Sequence, residues 1–126
     1  MHKSRLAGFI IDCQSQDLAA CGNFWSEALG MRQEKLPPDE SDRYQRLVDP
    51  HIDLHMEVQT VDHPSRVHLD IETDDIEAEV ARLERLGATR VAPVHTWVVM
   101  QAPTGHRFCV VRAASRNFAT EAHVWD

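Results

Sequence analysis

Apolar residues recur along this chain at two different periods. Leu18, Cys21, Phe24, Trp25, Ala28 and Leu29 fall at three- and four-residue steps, which gathers them on one stripe of a helix ending at Gly30. Ile76, Val80 and Leu83 do the same in a second segment, with Gly87 following Leu86. Acidic residues open both segments, Asp17 in the first and Asp74 with Asp75 in the second, where a carboxylate meets the unpaired N–H groups of a first turn. Ser15 or Asp17 is the expected cap of the first helix and Thr73 that of the second. A glycine at each end admits the left-handed backbone that closes a helix.

Outside these segments the period drops to two. Strands are expected at 6–13, 31–35, 44–49 and 52–59 around the first helix, and at 66–72, 89–92, 97–101 and 107–112 around the second. The acids Asp17 and Asp75 stand 58 residues apart, and the closing glycines 57. One strand–helix–strand–strand–strand unit is therefore written twice, joined by 60–65 with a break at Pro64. The expected fold is α+β, two βαβββ units in a mostly antiparallel sheet with the helices outside. It makes a single domain over 1–113 (unit one about 5–60, unit two about 65–113) with a tail at 114–126.

Alternation also sorts the strand faces. Ile52, Leu54, Met56 and Val58 share one face, opposite Asp53, His55, Glu57 and Gln59; Val67, Leu69 and Ile71 lie opposite His68, Asp70 and Glu72. The apolar faces are expected under the helices. The polar faces meet water or line a second, concave surface. The tail is polar but keeps Phe118, Val124 and Trp125, so it is expected to dock on the chain's own sheet or on a partner subunit.

Composition narrows the function classes. With 126 residues, 43% hydrophobic and 26% charged, the chain reads as one ordinary globular domain. Thirteen Lys and Arg against twenty Asp and Glu leave a charge of −7 and no basic run, which argues against nucleic acid. No apolar run approaches the ~20 residues of a membrane helix, so no membrane partner is expected. The opening Met-His-Lys-Ser-Arg-Leu lacks the apolar stretch of a secretory signal. Three cysteines, an odd number with no CxxC pair, point to reduced thiols and a cytoplasmic location. His51 and His55 stand four apart without an HExxH pattern, no GxSxG occurs, and five glycines leave little for a phosphate loop.

The doubled unit and three phrases, 17–30 (DLAACGNFWSEALG), 67–87 (VHLDIETDDIEAEVARLERLG) and 102–111 (APTGHRFCVV), resemble the vicinal oxygen chelate superfamily, in particular its small glyoxalase-like branch. Glyoxalase I, extradiol dioxygenases and the bleomycin- and fosfomycin-resistance proteins share that fold. The likeness covers about 6–111. It implies a cupped sheet, a small-molecule ligand, pairing as a homodimer, and a divalent metal (zinc, nickel, iron or manganese) with open positions that chelates adjacent substrate oxygens. The metal-dependent members are lyases, isomerases and dioxygenases. The alternative within the superfamily is a metal-free, non-catalytic binder of the bleomycin-resistance, drug-sequestering type.

Ligand positions transfer one at a time. His68, seven residues before Asp75, stands where the superfamily has a histidine ligand. Glu57 stands in a position like the glutamate of glyoxalase I, a metal ligand with a catalytic role. The first-strand position falls on Ile10, which cannot bind a metal, with Asp12 two residues on. The last-strand position, normally glutamate, is Cys109; its thiolate is a ligand for zinc or iron, and its commoner fate is core packing beside Phe108 and Val110. A mixed set of His68, Glu57 and Cys109 suits zinc better than magnesium or calcium. His55, Gln59, Trp97 and Arg107 are the expected substrate-facing residues, Arg107 toward an anion. The loop 35–42 (KLPPDESD) is expected near the mouth of the cup.

Overall fold

The computed structural model describes residues 1–38 and 42–126; residues 39–41 of the 35–42 loop lie outside the described residues. The elements run β1 (His2–Gln14), α1 (Leu18–Leu29), β2 (Arg32–Glu34), β3 (Tyr44–Val48), β4 (His55–Val61), β5 (Arg66–Thr73), α2 (Ile76–Arg85), β6 (Thr89–Val94), β7 (Trp97–Gln101), β8 (Arg107–Arg112), α3 (Phe118–Glu121) and β9 (His123–Trp125). The βαβββ order occurs twice, in a mixed and mostly antiparallel arrangement of strands. Among the described residues no helix is long and apolar enough to cross a membrane. Two compact units divide the chain, Phe9–Val67 and a second made of Met1–Gly8 with His68–Asp126.

In the first unit, β2, β3 and β4 are joined by antiparallel ladders, with Arg46 opposite both Glu34 and Glu57. Ile11, Cys13, Met31, Leu47, Met56 and Val58 form its core, flanked by Phe9, Leu18, Cys21 and Trp25. Met56 and Val58 are thus buried as the alternation predicts. The Asp17 carboxylate accepts from the Ala20 N–H at 3.0 Å and caps α1, and Gly30 closes it at φ 68°. The helix comes close to the sheet at Gly22, where a Cβ would run into the Gln45 side-chain amide. Phe24 departs from expectation: it is 62% exposed and meets Trp25 edge-on at 5.0 Å. It lies about 100° round the helix from Trp25, so the seat at Gly22 and Trp25 turns it outward.

In the second unit, α2 lies over β6, β7 and β8. Val80, Leu83, Ala88, Val98, Met100, Phe108 and Val110 fill the space between, with Ile71, Ile76 and Ala102 at the margin. β5 and β8 are parallel, β8, β7 and β6 antiparallel. The cap of α2 is Asp75, whose carboxylate accepts from the Ala78 N–H at 3.1 Å. Thr73, the expected cap, instead accepts from the Asp75 N–H and donates to the Lys3 carbonyl at 2.8 Å. Expectation also fails along β5. Only Ile71 packs against the core, while Val67 is 57% and Leu69 50% exposed, because α2 covers the strands on the other side of β8.

The tail docks on its own unit. β9 pairs antiparallel with His2–Ser4, and Trp125 Nε1 donates to Ser4 Oγ at 2.8 Å. The Arg82 guanidinium lies 3.9 Å over the Trp125 ring and donates to both carboxylate oxygens of Glu79 at 2.8 Å. Glu79 is fully buried and also meets His2 Nε2 at 2.8 Å. Burial pushes its carboxyl up, but the hydrogen bonds from Arg82, then His2 and Ser4, outweigh that and hold it below the usual glutamate value. A second buried carboxylate, Glu72, accepts from the Ala114 and Ser115 N–H groups at 3.0 Å and pairs with Arg5 at 3.1 Å.

Candidate metal centre

Strand register in the second unit assembles a set of donor atoms. In the parallel β5–β8 ladder Asp70 stands beside Cys109, while Leu69 stands beside Phe108 and Ile71 beside Val110. Partners in a ladder point to the same face, so Asp70 and Cys109 project together, away from the Phe108–Val110 core face. His68, two residues before Asp70, joins them. The ligand atoms of His68, Asp70 and Cys109 all lie within 4.8 Å of one another, and His68 Nε2 stands 3.6 Å from Asp70 Oδ1. Donors with metal bonds of about 2.0–2.3 Å in a tetrahedral set stand roughly 3.3–3.8 Å apart, a range that includes the imidazole–carboxylate separation. All three residues are half-buried. The set is mixed N/O/S, which suits zinc or iron, and three protein donors leave a position open.

Two more expected residues share this face. Arg107, two residues before Cys109, donates from Nε to Gln101 Oε1 at 2.8 Å across the β7–β8 ladder. Trp97 lies at the other end of β7, half-buried, with its ring 5.5 Å from that of His95. His95 takes φ 49° in the tight turn that returns the chain from β6 to β7.

The expected residues of the first unit meet each other instead. His55 Nε2 and Glu57 Oε1 are 2.6 Å apart, Gln59 Nε2 donates to Tyr44 Oη at 2.9 Å, and Arg46 pairs with Glu34 at 3.4 Å. Ile10 is buried, and the neighbouring Asp12 is buried with Arg66 Nε at 3.4 Å. The structure thus brings His68 and Cys109 together with Asp70, and joins Glu57 to His55.

Two corrections follow for individual residues. Cys109 does not pack between Phe108 and Val110; alternation within β8 sends its sulfur to the opposite face. Asp70 was legible only as a member of the polar face, since nothing in the alternation ties it to a strand 39 residues on; the signal was the β5–β8 register, which pairing alone supplies.

Solved structures with the same arrangement are distant in sequence. A hypothetical protein from Bacillus halodurans C-125 superposes with a TM-score of 0.63 at 11% identity, over 90% of this chain and 96% of its own. Methylmalonyl-CoA epimerase from Mycobacterium tuberculosis gives 0.61 at 16%, over 91% of each chain. A variant of homoprotocatechuate 2,3-dioxygenase from B. fuscum gives 0.57 at 14%, over 90% of this chain but 33% of the dioxygenase. These likenesses show a shared fold. The chain belongs to the glyoxalase-like domain family, whose match spans residues 8–111. No curated protein matches the sequence.

Proposed function

We propose that this chain is a metal-dependent enzyme of the lyase, isomerase or dioxygenase kind, acting on a small oxygenated molecule at the β5–β8 face. The observation that carries the reading is the convergence of His68, Asp70 and Cys109 on one face, within reach of a single ion. Those three residues would hold a divalent metal, zinc by the softness of the thiolate. When bound, the ion supplies Lewis acidity to a pair of adjacent substrate oxygens. The chain's own contribution is positional. His68 and Asp70 sit two apart on one strand, so their spacing is set by the pleat, and Cys109 is held beside Asp70 by the ladder. Arg107 offers positive charge on the same face, and Trp97 offers a flat apolar surface.

A second reading, the metal-free binder, draws on the buried Ile10, which removes one ligand of the superfamily's set. Metal analysis of the protein purified without chelator separates the two. About one equivalent of zinc or iron in the parent, absent from His68→Ala and kept in Glu57→Gln, supports the three-donor centre. Loss of the metal in Glu57→Gln would instead restore the glutamate ligand that the resemblance implies. No metal in the parent, even after incubation with zinc, would leave the binder.

A further inference from the structure

We infer that Arg107 is a carboxylate-binding residue, so that the molecule taken by the β5–β8 face carries an acid group beside its oxygen pair; this rests on the reading above for the place of the oxygens. Four arginines are half-buried in this structure: Arg5, Arg46, Arg82 and Arg107. Three of them meet a carboxylate, Glu72 at 3.1 Å, Glu34 at 3.4 Å and Glu79 at 2.8 Å. Arg107 meets the neutral Gln101 amide, and among the described residues no ion pair joins it to an acid. In a chain with twenty acidic residues, a half-buried guanidinium held by an amide has been kept from its own carboxylates.

The geometry of the hold also matters. Gln101 takes the Nε–H, which anchors the guanidinium over β7 and leaves both terminal amino groups of the fork to receive a bidentate anion. Arg107 and Cys109 are two residues apart on one face of a strand, a spacing of about 6.7 Å. A carboxylate held by Arg107 would therefore lie on the same face as the three donors.

The test uses 3,4-dihydroxybenzoate and catechol, which differ only in the acid, titrated into the zinc-treated protein and followed by NMR chemical shifts. The parent is expected to bind the acid at least tenfold more tightly than catechol. Arg107→Gln should reduce that ratio to about one, and Gln101→Ala should narrow it, with melting temperatures unchanged. His68→Ala should weaken both ligands yet keep the preference, because the guanidinium is intact. Equal affinities in the parent, or a preference that survives Arg107→Gln, would overturn the carboxylate site. Failure of zinc to bind, with the acid preference intact, would remove the metal reading and leave this site standing.

Discussion

The two βαβββ halves use the polar sides of their strands in different ways. In the first unit, His55 meets Glu57, Gln59 donates to Tyr44 and Arg46 pairs with Glu34. In the second, His68, Asp70 and Cys109 gather three donors at one point, and Arg107 stands nearby with a neutral partner. The difference begins at equivalent positions. Where β1 has Ile10 and Asp12, both buried and Asp12 beside Arg66, β5 has the half-buried His68 and Asp70. The same βαβββ order thus carries two arrangements, side-chain pairs along the strands in one unit and three donor atoms gathered on one face in the other.

The sharpest way to break this contrast is through metal affinity. Cys109→Ser is expected to weaken zinc binding by about 100-fold, measured by competition with a chromogenic chelator, whereas His55→Ala should change it less than about threefold. Comparable losses in both variants would mean that the two halves share the ion.

Stability sharpens the contrast at a smaller scale. Arg82→Ala leaves Glu79 buried without its main counter-charge and strips the cation from Trp125, which should cost about 3–5 kcal/mol in urea unfolding. The corresponding ion pair of the first unit, Arg46 with Glu34, is more than a third exposed on both sides, so Arg46→Ala should cost no more than about 1 kcal/mol.

The smallest expected effect is on pH dependence. Because the native structure holds the Glu79 carboxyl below its ordinary value of 4.5, its contribution is fully present above that value. It is lost as pH falls through the lowered native value. Melting temperature should therefore be insensitive to this group near neutrality and drop in acid, and Glu79→Gln should show a shallower acid decline from a lower starting point. An unchanged acid slope in Glu79→Gln would assign the decline to other groups.

Much of this architecture was written locally. Period and punctuation placed both helices to within a residue or two at Leu18–Leu29 and Ile76–Arg85, since 3.6-residue spacing, an acidic start and a closing glycine act over one or two turns. Strand alternation likewise placed His68 and Asp70 on a polar face, and the motifs identified the superfamily and the position of His68. Other features depended on what came to lie against what. Phe24 and Leu69 are exposed because each helix seats off-centre from its apolar stripe or strand. The tail's side chains find Ser4 and Arg82 at separations of 121 and 43 residues, contacts no local pattern encodes. Cys109 lies off the Phe108–Val110 core face, with Asp70 its neighbour, through a parallel register between strands nearly forty residues apart. The elements, their doubled order and the chemistry available on each face follow from short-range periodicity and are legible along the chain. Which side chains meet is settled by folding, because convergence is a property of strand pairing and not of spacing along the chain.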